Sequence, residues 1–189
     1  MDNENIKRGE ELANEGRYQE AYDIFLKESQ LGNPKGSHDI GVMYEDGIGF
    51  DKNIDEALKW FEKAANKGYI DGMLKMRYYA YIKGDYEQCH YWGLKAAEAG
   101  DTQSMIDVAS HYFTGQGVEK NDEKGYRWIL TSANLGKKEA QYILSMLYRD
   151  GLGTEVNLSR ASFYAKKAYA QGMEEAKTDV LDQLPKEYQ

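Results

Sequence analysis

The chain has 189 residues, enough for one domain with a substantial core, and 32 acidic against 24 basic residues give it a formal charge of −8. That balance argues against nucleic acid as a partner, because phosphate binding is driven by clustered Lys and Arg. The single cysteine, Cys89, excludes an internal disulfide framework.

The first residues, Met1-Asp2-Asn3-Glu4-Asn5, carry neither a basic region nor an apolar run. No secretory signal is therefore expected. No stretch approaches the roughly 18 apolar residues of a membrane span, so the expectation is a soluble, cytoplasmic monomer without membrane contact. Acidic residues gather at the ends: residues 1–32 are net −4 and residues 173–189 net −3, which leaves −1 for the 140 residues between. Polar ends of this kind keep a stacked array from growing end to end.

From residue 32 onward a glycine returns on a fixed beat: Gly32, Gly68, Gly100, Gly136 and Gly172, at intervals of 36, 32, 36 and 36. Eight residues before each stand Ile24, Trp60, Trp92, Trp128 and Tyr164. Eleven before stand the small residues Ala21, Ala57, Cys89, Gly125 and Ala161. A period of this length is the signature of a solenoid, whose units bury their apolar faces on their neighbours. The expected fold is all-α: a right-handed α-solenoid of stacked antiparallel helix pairs in a single domain, 1–189. Its units are 1–32, 33–68, 69–100, 101–136 and 137–172, and a terminal capping helix occupies 173–189. The three tryptophans are expected to be largely buried, and Cys89 to be a packing residue.

The first unit joins its helices by the tight turn Gly16-Arg17-Tyr18. In the second, Ile40, Gly41 and Tyr44 mark the first helix, the loop Gly47-Ile48-Gly49 follows, and Asn53 caps the second helix, with Glu56 completing a capping box. The third unit has the short turn Gly84-Asp85-Tyr86. In the fourth, Ser104, Met105, Val108, Ala109 and Tyr112 form one apolar stripe at helical spacing. Gly115-Gln116-Gly117 and a cap at Asn121 come next, and Gly136 closes the second helix in the left-handed conformation. The fifth repeats the plan with Leu144, Ser145 and Tyr148, the loop Gly151-Leu152-Gly153 and a cap at Asn157. The Gly-x-Gly loops follow helices rather than strands, and no Lys-Ser/Thr completes a nucleotide fingerprint, so they read as structural turns. Beyond them, Ala176, Val180, Leu181 and Leu184 recur at first-helix positions before Pro185.

Ala140, Leu144, Ser145, Tyr148, Gly151 and Gly153, followed by Ala161, Tyr164, Lys167 and Ala168, resemble the Sel-1-like repeat, the longer-looped relative of the tetratricopeptide repeat. Residues 33–68 fit best, through Gly47-Ile48-Gly49 and Ala57-Leu58-Lys59-Trp60-Phe61-Glu62-Lys63-Ala64-Ala65. Units 1–32 and 69–100 look more like plain tetratricopeptide repeats. The resemblance implies an adaptor for protein complexes, with no catalytic residues and no cofactor.

The residues agree with that implication. His38, His90 and His111 have no metal-ligand spacing with one another on a helix face, and the His-Glu-x-x-His pattern is absent, so no metal is expected. Cys89 and His90 are neighbours about 100° apart on a helix and make no dyad.

In solenoids of the resembled type the first helices line the inner surface. Counted from Gly36, Gly72, Ser104 and Ala140, the inward offsets +2, +6 and +9 are His38, Val42, Glu45; Leu74, Tyr78, Tyr81; Ile106, Ser110, Phe113; and Tyr142, Met146, Arg149. Most of these from Leu74 onward are apolar or aromatic, the types enriched at interface centres. The expected site is a protein-binding groove of Leu74, Tyr78, Tyr81, Ile106, Phe113, Tyr142, Met146 and Arg149 that holds a protein or peptide segment. The alternative is that strong curvature packs the first helices together and buries these side chains. A second functional reading is an acidic inhibitor or immunity protein that neutralises a toxin or enzyme by stoichiometric binding, steered to a basic target. An enzyme with an unrecognised site is the remaining and weakest reading.

Overall fold

Gly136 and Gly153 show how each repeat is punctuated. In the computed structural model, which describes residues 2–189, Gly136 stands at φ 94° just past a helix that ends at Asn134. Its N–H donates to the Ala133 carbonyl, and the Lys137 N–H donates to Ser132, so the last carbonyls of the helix are satisfied by a Schellman motif. A β-carbon at Gly136 would meet nothing within 4 Å, so only the backbone conformation requires glycine there. Gly153, at φ 70°, answers a second demand as well. Its β-carbon would lie 2.1 Å from the Asp122 carbonyl oxygen, so the Gly-x-Gly loop is pressed against the start of the preceding second helix.

Helices begin where the caps were predicted. Asn53, Asn121 and Asn157 accept hydrogen bonds from the N–H groups of Glu56, Lys124 and Arg160, at 3.0, 2.8 and 2.9 Å. The long loops are pinned at their far ends too: Asn53, Asn121 and Asn157 donate their own N–H groups to the carbonyls of Tyr44, Tyr112 and Tyr148.

The chain divides into two compact units, one up to Asp85 and the other from Tyr86. The first contains α1 (Asp2–Asn14), α2 (Tyr18–Gln30), α3 (Pro34–Asp46), α4 (Ile54–Ala65) and α5 (Ile70–Ile82), each packed against the next. Its core runs through Ile6, Phe25, Ile40 and Phe61, all at most 3% exposed. The second contains α6 (Tyr86–Glu98), α7 (Thr102–Thr114), α8 (Asp122–Asn134), α9 (Lys138–Asp150), α10 (Leu158–Tyr169) and α11 (Glu175–Thr178), again packed in sequence. Val108, Ile129 and Leu144 are buried at its centre. The fold is an α-solenoid of stacked helix pairs. The small-residue register explains how the helices approach so closely: Ala21, Ala57, Cys89 and Ala161 are all buried.

Two expectations change. Trp92 is buried, but Trp60 and Trp128 are only half-buried. Each indole packs one side on the core, and Lys63 Nζ sits 4.8 Å over the Trp60 ring, where a large amphipathic side chain keeps a solvated edge. The terminal capping helix predicted over 173–189 is in fact the four-residue α11 followed by two 3-10 turns, Leu181–Gln183 and Lys186–Tyr188. Ala176, Val180, Leu181 and Leu184 still bury as the pattern requires.

Candidate functional site

In the first unit, the inward offsets of α3 and α5 meet in one cleft. His38, Val42 and Glu45 from α3 and Leu74 and Tyr78 from α5 line about 660 Å³ of open space, together with Lys75 and Tyr79. One turn of helix separates successive offsets, so the +2, +6 and +9 positions share a face by construction. Glu45 is 8% exposed and doubly held: Lys75 Nζ bonds Oε2, and the Tyr79 hydroxyl donates to Oε1 at 2.6 Å. Burial opposes ionisation of Glu45, but the two hydrogen bonds outweigh it and hold the carboxyl below its usual range. Burial and the bond to Glu45 push the Tyr79 phenol well up. Glu45 is therefore engaged as a structural anion and is not poised to take a proton.

Tyr78 projects from this wall with 53% of its surface exposed and meets Tyr79 edge-to-face, the ring centres 5.1 Å apart. Leu74 is half-buried beside it, and Tyr81 is 60% exposed on the same helix. A partly covered leucine beside an exposed tyrosine is a surface that can still lose water on binding.

In the second unit the predicted residues are placed differently. Ile106, Phe113, Tyr142 and Met146 are half-buried against the core. Phe113 packs closely on Gly125 of α8, where a β-carbon would come within 2.6 Å of its Cε1 atom. The Tyr142 hydroxyl donates to Asp179 Oδ2 at 2.7 Å, and that bond, with burial, raises its pKa to about 12. Arg149 donates through Nη1 to the Asp179 carbonyl at 2.5 Å and through Nε to Asp150 at 2.7 Å. Tyr142 and Arg149 thus hold the chain's own terminal segment against α9.

The structure also brings together a pair that helical spacing does not reveal. His90 of α6 and His111 of α7 face each other with their Nδ1 atoms 3.4 Å apart. The Tyr112 ring meets His90 edge-on at 5.1 Å. Burial, then His111, then Lys124 depress the pKa of His90, which favours the neutral ring. The two histidines lie 21 residues apart on successive helices, so no search along one helix face could find them. Among the described residues, no three His, Cys, Asp or Glu side chains come together to hold a metal, and no helix is long and apolar enough to cross a membrane.

With this geometry in view, the comparisons with known proteins converge. The Sel1 repeat model matches residues 34–69, 76–101, 102–137 and 138–173. The second of these matches includes most of the unit read above as a plain tetratricopeptide repeat, so that unit is a Sel1 repeat with a shortened loop. A putative sel1-like repeat-containing protein, L21 of Acanthamoeba polyphaga mimivirus, is 33% identical over 115 residues, covering 60% of this chain and 21% of its own length. The crystal structure of a Sel1 repeat protein from Oxalobacter formigenes superposes with a TM-score of 0.72 at 28% identity, covering 95% of this chain and 76% of that one. That of c5321, a protective antigen of uropathogenic Escherichia coli with an SLR fold, gives a TM-score of 0.78 at 28% identity, covering 93% and 39%. The chain thus spans about a fifth of the mimiviral relative. Four repeat matches over most of the chain, on the helix pairs and Gly-x-Gly loops described above, show that it belongs to the Sel1 repeat family.

Proposed function

We propose that the protein is a non-enzymatic interaction module that binds a protein or peptide segment through the inward faces of its first helices. Sel1 repeat proteins are generally protein-interaction modules, and the finer reading rests on one observation. Tyr78, 53% exposed, stands at the mouth of an open cleft of about 660 Å³ with Leu74 and Val42 in its wall. Tyrosine is among the residue types enriched as anchors at the centres of interfaces, and the apolar wall beside it can still lose water on binding. The anchored Glu45–Lys75–Tyr79 cluster gives the cleft a fixed polar side, which supplies orientation more than affinity.

In the second unit the proposed surface consists of Ile106 and Met146, with Phe113 supporting it from beneath. Tyr142 and Arg149 contribute through the terminal segment that they hold. Tyr81 extends the first-unit surface along α5.

The test is capture from an extract of the source organism on the immobilised full chain, comparing the parent with Tyr78→Ala, Leu74→Ala and a control on α4, Glu62→Ala. Proteins retained by the parent and the control but lost by both α5 variants support the reading. Retention by the α5 variants and loss by the control would overturn it. If the retained protein is an enzyme silenced on binding, the module is a stoichiometric inhibitor.

A further inference from the structure

The His90–His111 pair is separate from the cleft and needs its own account. As a hydrogen bond it is poor: 3.4 Å between the nitrogens lies beyond the usual range of about 2.7–3.2 Å for a strong N–H contact. As a pair of metal ligands it is well sized. Two metal–nitrogen bonds of about 2.0–2.1 Å that span this separation subtend roughly 110°, the tetrahedral angle of zinc.

We propose that His90 and His111 form a two-histidine site for a borderline divalent cation such as zinc, bound through both Nδ1 atoms, with water in the remaining positions. The side chains come from two packed helices, α6 and α7, so their separation is fixed by backbone packing rather than by flexible stems. His90 is 7% exposed and its ring is braced by Tyr112, which limits its rotamers. His111 is half-buried and provides the approach from solvent. Imidazole is a preferred ligand of zinc, copper and nickel, and it binds in its neutral form. Lys124, whose Nζ lies 5.5 Å over the Tyr112 ring, opposes a cation at this point. With only two protein ligands the site is exchangeable, not a structural zinc of the closed four-ligand kind.

The experiment is a zinc titration of the tag-free full chain, read by competition with a chromophoric chelator, on the parent, His38→Gln, His90→Gln and His111→Gln. Circular dichroism verifies folding of each. The expected result is one saturable equivalent for the parent and for His38→Gln, with affinity reduced about tenfold or more in His90→Gln and His111→Gln. Because His111 is half-buried, His111→Gln decides the question even if His90→Gln does not fold. No saturable binding by the parent below about 1 mM zinc would overturn the proposal, as would His111→Gln binding like the parent.

Discussion

The Tyr142 hydroxyl donates to Asp179 Oδ2 at 2.7 Å, which ties the terminal segment to an inward position of α9. Arg149, a further inward position, holds the same segment through the Asp179 carbonyl. Two side chains expected from the sequence to line the groove thus also hold the chain's own segment. Asp179→Ala should therefore loosen the segment without unfolding the helix pairs. Limited trypsin digestion should cut earlier at Lys177 and Lys186 than in the parent, while far-ultraviolet circular dichroism stays near the parental value. Identical digestion kinetics would show that the contact does not hold the segment.

Phe113 and Gly125 form a matched pair, because a β-carbon at residue 125 would clash with the phenyl ring at 2.6 Å from Cε1. Gly125→Ala should lower stability by about 1–2 kcal/mol, as overpacking outweighs a gain in helix propensity of about 1 kcal/mol. Phe113→Leu should relieve part of that loss in the double variant, with a coupling of at least about 0.5 kcal/mol. Urea unfolding of the four proteins measures both.

Gly136 and Gly153 share a left-handed backbone but not their surroundings. Gly136→Ala should cost only the conformational term, about 1–2 kcal/mol. Gly153→Ala also drives a methyl into the Asp122 carbonyl, and should cost at least about 1 kcal/mol more. Equal losses in thermal or urea unfolding would contradict the close approach of the loop to α8.

Glu45 has a depressed pKa in the folded protein because, against its burial, Lys75 and Tyr79 bond the carboxylate. Its contribution is therefore present above the unfolded value near 4.5 and is lost as the pH falls through the lower folded value. Glu45→Gln should cost about 1–3 kcal/mol at neutral pH. The gap between parent and variant should narrow as the pH falls below the unfolded value and close only below the lower folded one. A gap that stays constant with pH would mean that the charge of Glu45 is not what holds the cluster.

The repeat was legible because glycine punctuation and small-residue packing are local, periodic demands. Gly136 must take a positive φ and Ala161 must let two helices meet, and neither depends on what lies elsewhere in the chain. The half-buried state of Trp60 was not legible, because the register fixes which face an indole points to and not how far the next helix extends over it. Of the site, the inward offsets were readable as a set, and His38, Val42 and Glu45 line the cleft with Leu74 and Tyr78. What spacing could not show was the occupation of those positions by the protein itself. Phe113 turns onto Gly125, Tyr142 onto Asp179, and His90 meets His111 through packing of separate helices.

The most direct measurement of the central claim is site-specific photo-crosslinking. A benzophenone amino acid is placed at Tyr78, inside the proposed surface, or at Glu62, exposed on the second helix of the preceding pair. The account predicts that irradiation in the presence of the source extract gives a discrete crosslinked species from position 78. It predicts none of that mass from position 62. A species formed from position 62 and absent from position 78 would contradict binding through the inward faces of the first helices.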